Sequence, residues 1–212
     1  MTPQDARDAQ DARRQPLQPS MHRFTRDELI FGLKDVIGKL KAAGEPATIC
    51  IIGGAAISML YWSERGATQD IDADLGPADV ILTASARTAA ENGWPSDWLN
   101  NEATIFFPGG FGKRAAEWVT VYDRDGIVVQ IATAETLLAM KLNAAISRGR
   151  REIADLALLL GLCRIDNVDD AENHFGDYYS EELNDRAVRA VEAALAMDTT
   201  DMTAEDLDLE ED

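Results

Sequence analysis

Three aspartates, Asp70, Asp72 and Asp74, occupy alternate positions in Thr68-Gln69-Asp70-Ile71-Asp72-Ala73-Asp74-Leu75. A strand turns successive side chains to opposite faces. The carboxylates therefore share one face, and Ile71, Ala73 and Leu75 share the other. Same-face neighbours stand roughly 6–7 Å apart at Cα. Two such carboxylates can converge on a pair of divalent cations about 3.5–4 Å apart. Hard oxygen donors select Mg²⁺ or Mn²⁺. The competing account is a solvated acidic edge strand, since charged edges block pairing with other chains. Like charges in a row repel, so a counter-cation is welcome there.

A second candidate is Gly53-Gly54, which lies between an apolar run and a helix-forming stretch. Such a turn lets backbone amides face an anion, helped by the helix N-terminal dipole. The commoner reason for such a pair is a bend that needs positive φ. GGAAISM is not G-x-G-x-x-G, and the chain has no GK[ST], so dinucleotide-binding and P-loop readings lose support. A third candidate is Lys141, in a mostly apolar helical stretch beside Leu137, Leu138 and Ala145. It either snorkels outward or points into a cleft. Lys141, Arg148 and Asp155 recur every seven residues and would share a face if one helix ran through Gly149. The alternative for Arg148–Asp155 is a surface salt-bridged stripe.

Several elements must position these groups. Thr25-Arg26-Asp27-Glu28 is a capping box opening a helix with the apolar stripe Leu29, Phe31, Leu33, Val36, Ile37 and Leu40. Thr48–Ile52 reads as a buried strand, Ala55 to about Trp62 as a helix, and Asp70–Leu75 as a half-buried strand. A helix is expected over about Asp79–Asn92, and a short turn at Asp97-Trp98-Leu99-Asn100. Strands are expected around Thr104–Phe107, Trp118–Tyr122 and Ile127–Ala132, the last two joined by the turn residues Asp123–Gly126. Helices follow over Ala134 to about Ser147, over Glu152–Leu162 and over about Ser180–Ala196. No internal repeat is visible. This order predicts an α+β fold, a small mixed sheet with flanking helices and a helical C-terminal part.

Composition bounds the function. The 212 residues suffice for one ordinary core, or a domain with a helical appendage. The net charge is −18, and residues 181–212 alone hold twelve acids against two arginines. Such a surface repels phosphate, which argues against non-specific DNA or RNA binding, although a local basic patch could still hold a nucleotide or one RNA end. Cys50 and Cys163 lie in apolar runs and read as free thiols. With His22 and His174 they have no zinc-ligand spacing. The first twenty residues lack an apolar stretch and do not read as a secretory signal. They are expected to be mobile, and Met21 is an alternative start. The longest apolar stretch, ICIIGGAAISMLYW, is too short to span a bilayer. A cytoplasmic protein is expected.

Ile52-Gly53-Gly54-Ala55-Ala56, Arg65-x-x-Thr68-x-Asp70-Ile71-Asp72, and Glu135-x-Leu137-Leu138-Ala139-Met140-Lys141-Leu142-x-Ala144 followed by Arg148 and Asp155 form a combined pattern. With the turn Asp97–Asn100, it resembles the DNA polymerase beta-like nucleotidyltransferase superfamily. The nearest resemblance is to the small nucleotidyltransferase-like proteins of bacterial toxin–antitoxin and abortive-infection systems. It covers roughly residues 28–162 and implies a nucleotidyltransferase core. It also implies that Asp70 and Asp72 hold Mg²⁺ or Mn²⁺ on an NTP, and that Gly53 and Gly54 position its phosphates. Thr68 would lie beside the metal strand, Arg65 near the phosphates or supporting the loop. Lys141 would neutralise developing charge. The implied acceptor is a tRNA 3′ end or a protein, and a cognate toxin or antitoxin is an implied partner.

The chain departs from that superfamily at one point. A third carboxylate usually sits on a later strand, but Val128-Val129-Gln130 carries none. Glu117, near a strand start, and Asp155 are the candidates to supply it. The alternative function is a catalytically inactive binding module of the same fold. The expected organisation is a disordered segment 1–20, a nucleotidyltransferase-like domain 21–165, C-terminal helices 166–197 and a disordered acidic tail 198–212.

Overall fold

A computed structural model describes residues 22–102, 106–108, 112–148 and 153–210. The expectations for residues 1–20 and Met21, and most of the strand expected at Thr104–Phe107, lie outside those ranges. Phe106 and Phe107, which are described, are not in a strand.

The architecture is α+β. The elements are α1 (Arg26–Ala43), β1 (Ala47–Ile52), α2 (Gly53–Leu60), β2 (Ile71–Gly76), α3 (Ala78–Asn92), β3 (Leu99–Asn100), β4 (Trp118–Arg124) and β5 (Ile127–Ala132), followed by α4 (Ala134–Arg148), α5 (Ile153–Leu162), α6 (Val168–Tyr178) and α7 (Asp185–Leu195). The sheet order is β3-β2-β1-β5-β4. Strand β1 pairs antiparallel with β2 and parallel with β5, so the sheet is mixed.

Register assigns each face its chemistry. Ile49, Ile51, Ile71, Ala73, Val129 and Ile131 are fully buried beneath α1, α2 and α3. The opposite face carries Asn100, Asp72, Asp74, Cys50, Gln130 and Thr120, linked by the pairs Asp72↔Asn100, Cys50↔Asp74, Cys50↔Gln130 and Thr120↔Gln130. It is a polar face, with Asp74 exposed and Asp72 half-buried.

Helix α1 begins with the expected capping box. Thr25 accepts from the Glu28 amide while the Glu28 side chain accepts from the Thr25 amide. Gly32 on this helix has a packing role: a Cβ there would lie 2.6 Å from Trp98. Trp98 is fully buried and donates its indole N–H to the Ser85 carbonyl at 3.1 Å. Its own carbonyl accepts from the Ile71 amide at 2.6 Å, which fixes the start of β2 beside Asp70. The Asp97–Asn100 segment, expected to be a simple turn, thus ends in a short strand paired with β2.

Three further expectations are corrected. Asp155 and Lys141 do not share one continuous helix. Fourteen residues of helix would separate them by about 21 Å, yet Lys141 Nζ lies 2.7 Å from Asp155 Oδ2. The chain therefore reverses between α4 and α5. The last helix starts at Asp185 rather than Ser180, because the Asn184 side chain accepts from the amides of Arg186 and Ala187 and caps it there. The acidic tail was expected to be disordered, but residues 198–210 lie along the body without helix or strand. Leu209 is 2% exposed within the core. Its apolar residues Met202, Leu207 and Leu209 explain this: they pack inward while the acids face outward.

Candidate functional site

The Gly-Gly bend sits where β1 ends. Gly53 has φ +69°, the left-handed region that disfavours a side chain. A Cβ on Gly53 would also lie 3.3 Å from Asp72 Oδ2. Bend and acid are therefore neighbours, brought together by the Ile52↔Asp72 pair of the β1–β2 ladder. No side chain caps α2 at Ile52, so its first amides are not taken by a cap.

Gly54 faces the other side of the arrangement. A Cβ there would lie 2.9 Å from an Arg65 guanidinium nitrogen, so the glycine lets that guanidinium lie against the backbone. Arg65 in turn grips Asp155 with two parallel bonds, Nε to Oδ1 at 2.7 Å and a terminal nitrogen to Oδ2 at 2.8 Å. Lys141 joins on Oδ2 at 2.7 Å. All three side chains are largely buried, with Asp155 4% exposed and each cation 13% exposed. Burial pushes the Asp155 carboxyl up, but the Arg65 bond and the Lys141 and Arg65 charges outweigh it and hold the group below its ordinary value.

The aspartate pair has a different setting. Asp70 lies one residue before β2, and Asn100 Nδ2 donates to its Oδ2 at 3.3 Å. Burial raises the Asp70 carboxyl, the Asn100 bond opposes this, and the charges of Asp97 and Glu102 raise it further. Asn100 was not among the expected site residues. Its approach to Asp70 depends on β3, a two-residue strand that has no readable periodicity.

Gly53, Gly54, Arg65, Asp72, Asp155 and Lys141 thus form one continuous set of neighbours, and Asp70 adjoins Asp72 through β2. Thr68 is held in an isolated bridge with Phe24, its amide donating to the Phe24 carbonyl at 3.0 Å and its carbonyl accepting at 2.7 Å. Glu117 is not in this set. It accepts from Arg114 at 2.8 and 2.9 Å, and it precedes β4, two strands away from β1. Asp155 has both oxygens engaged, one by Arg65 and the other by Arg65 and Lys141. On β5, Gln130 takes the face position beside Cys50 and donates to Thr120 at 3.1 Å.

Among the described residues no group of three or more His, Cys, Asp or Glu gathers as metal ligands. Asp70 and Asp72 nevertheless match the donor chemistry of Mg²⁺, which needs one or two carboxylates when substrate phosphates and water complete its shell. Both cysteines are free, as expected, and burial raises Cys50 to about 11 and Cys163 to about 12. Among the described residues no helix is long and apolar enough to cross a membrane. No protein-family model, curated protein or solved structure matches the chain.

Proposed function

We propose that this protein is a nucleotidyltransferase that moves NMP from an NTP to an RNA end or a protein hydroxyl. The observation that carries this reading is the contact of the Gly53 bend with Asp72, on a rim backed by Arg65, Lys141 and Asp155. Asp70 and Asp72 would hold Mg²⁺ or Mn²⁺, which when bound screens phosphate charge and polarises the phosphoryl oxygens. The first amides of α2 donate to phosphate oxygens, reinforced by the helix dipole. Arg65 and Lys141, fixed by Asp155, place positive charge behind the bend without reorganising during the reaction. The acceptor oxygen attacks the α-phosphorus, the α–β P–O bond breaks and pyrophosphate leaves. The acceptor proton passes to solvent, since β5 offers no carboxylate.

The acidic surface favours a protein or a short RNA end over a long RNA footprint. A cytoplasmic setting and a role in a toxin–antitoxin or abortive-infection pair belong to the same proposal. The lack of a carboxylate on β5 favours a second reading: a binding module of this architecture that pairs with a partner protein and has no catalysis.

Incubation with each α-³²P NTP, total RNA and cell lysate tests the first reading. Label should enter one acceptor pool and fall to background in Asp70→Asn and in Asp72→Asn. Label that persists in both variants refutes the assignment. Absence of labelling, with a neighbouring protein co-purifying, supports the module.

A further inference from the structure

The Arg65 loop, residues 61–70, is held from outside the site by the C-terminal segment. The Ser63 amide donates to the Thr203 carbonyl at 3.0 Å, and the Glu205 amide donates to Ser63 Oγ at 2.6 Å. One residue of the loop thus clasps the strap from both sides. Arg26, 10% exposed, continues the clasp. Its guanidinium donates to the carbonyls of Glu205 and Asp206 at 3.1 Å each and of Met59 at 3.3 Å, joining the strap to the end of α2. Leu209 then inserts into the core, and Glu210 pairs with Arg124 on β4.

Between strap and loop lies an open cleft of about 420 Å³, bounded by Thr25, Arg26, Ser63, Arg65, Gly66 and Glu205. It does not suit a free anion. Asp27, Glu64 and Glu205 line it against Arg26 and Arg65, and Arg65 already serves Asp155. The carbonyls and the Glu205 carboxylate, 3.6 Å from Arg26, answer that arginine instead.

We propose that Ser63 is a positioning residue and that the segment 198–210 is a strap which sets the Arg65 loop, and through Arg65 the Lys141–Asp155 pair behind the glycine bend. The proposal rests on the nucleotidyltransferase reading only for its effect on activity. Its structural half is independent.

The test uses the full chain, Ser63→Ala, Ser63→Thr and Leu209→Asp, each first shown to be folded by circular dichroism. Amide hydrogen exchange over residues 61–68 should lose about tenfold or more of its protection in Ser63→Ala and Leu209→Asp. Ser63→Thr, which keeps a hydroxyl acceptor, should restore it. NMP transfer should fall in kcat in the same two variants and recover in Ser63→Thr. Unchanged exchange overturns the proposal. So does transfer that rises when the strap is loosened, because the strap would then be a lid. If the parent chain labels nothing, the enzyme reading has failed, while the exchange result still decides the strap.

Discussion

Two sets of aspartate lie on either side of the Gly53-Gly54 bend, and the protein treats them in opposite ways. Asp155 is almost wholly buried and meets three nitrogen contacts from two cations. Asp70, Asp72 and Asp74 lie on or beside an open strand face, and β1, β2, β3 and β5 contain no lysine or arginine. A carboxylate neutralised from within is a structural part. A row of carboxylates along one strand face repels itself. The first holds two cations behind the bend, whereas the strands that carry the second supply no basic side chain.

The largest effect that would break this comparison is on stability. Asp155→Ala leaves Arg65 and Lys141 buried without their anion, and should cost roughly 3–5 kcal/mol in urea unfolding. Arg65→Ala should cost less, since Lys141 still answers Asp155. Asp72→Asn should cost less than Asp155→Ala, since the substitution also relieves repulsion along β2. Equal losses in Asp155→Ala and Asp72→Asn would erase the distinction drawn between the two sets.

Next in size is the bend itself. Gly53→Ala forces an L side chain into the left-handed region, at a cost of about 1–2 kcal/mol, and presses a methyl towards Asp72 Oδ2. Unfolding should register the strain. Mn²⁺ affinity, read by electron paramagnetic resonance, should drop further than the stability loss accounts for. An alanine variant that binds Mn²⁺ as the parent does would show that Asp72 faces elsewhere when metal is present.

The elements around the bend were legible in the sequence because their signals are local. The capping box at Thr25, the β-branched run of β1 and the alternation from Asp70 each sit within a few residues. Two glycines after a strand are the local signal for positive φ, which Gly53 adopts. The partners were not legible. Arg65 and Asp155 are ninety residues apart, and the seven-residue spacing from Lys141 to Asp155 suggested one helix face where the chain in fact turns back. Asn100 reaches Asp70 only because β3 adds to the sheet edge. In the strap, acidity masks three apolar residues, Met202, Leu207 and Leu209, whose burial needs a surface that sequence does not display.

The smallest effect separates buried groups by the pH at which each is lost. Asp155 is held below its ordinary 3.8. Its contribution is therefore complete above that value and disappears as pH falls through the lower folded value. His174 lies away from the bend, with Nε2 at 2.8 Å from the Glu135 carbonyl. Burial lowers it below 6.5, the Glu135 carbonyl bond and the Glu135 and Asp177 charges oppose this, and Arg114 adds to the lowering. The folded chain thus prefers the neutral imidazole, so stability is full above 6.5 and declines as pH falls below it. Urea unfolding from pH 8 down to about pH 3 should show a shallow loss beginning near 6.5 in the parent and a flatter upper limb in His174→Gln. Asp155→Asn should leave that upper step in place and remove dependence only in the acid range. A step near 6.5 that survives His174→Gln would mean that another group carries it.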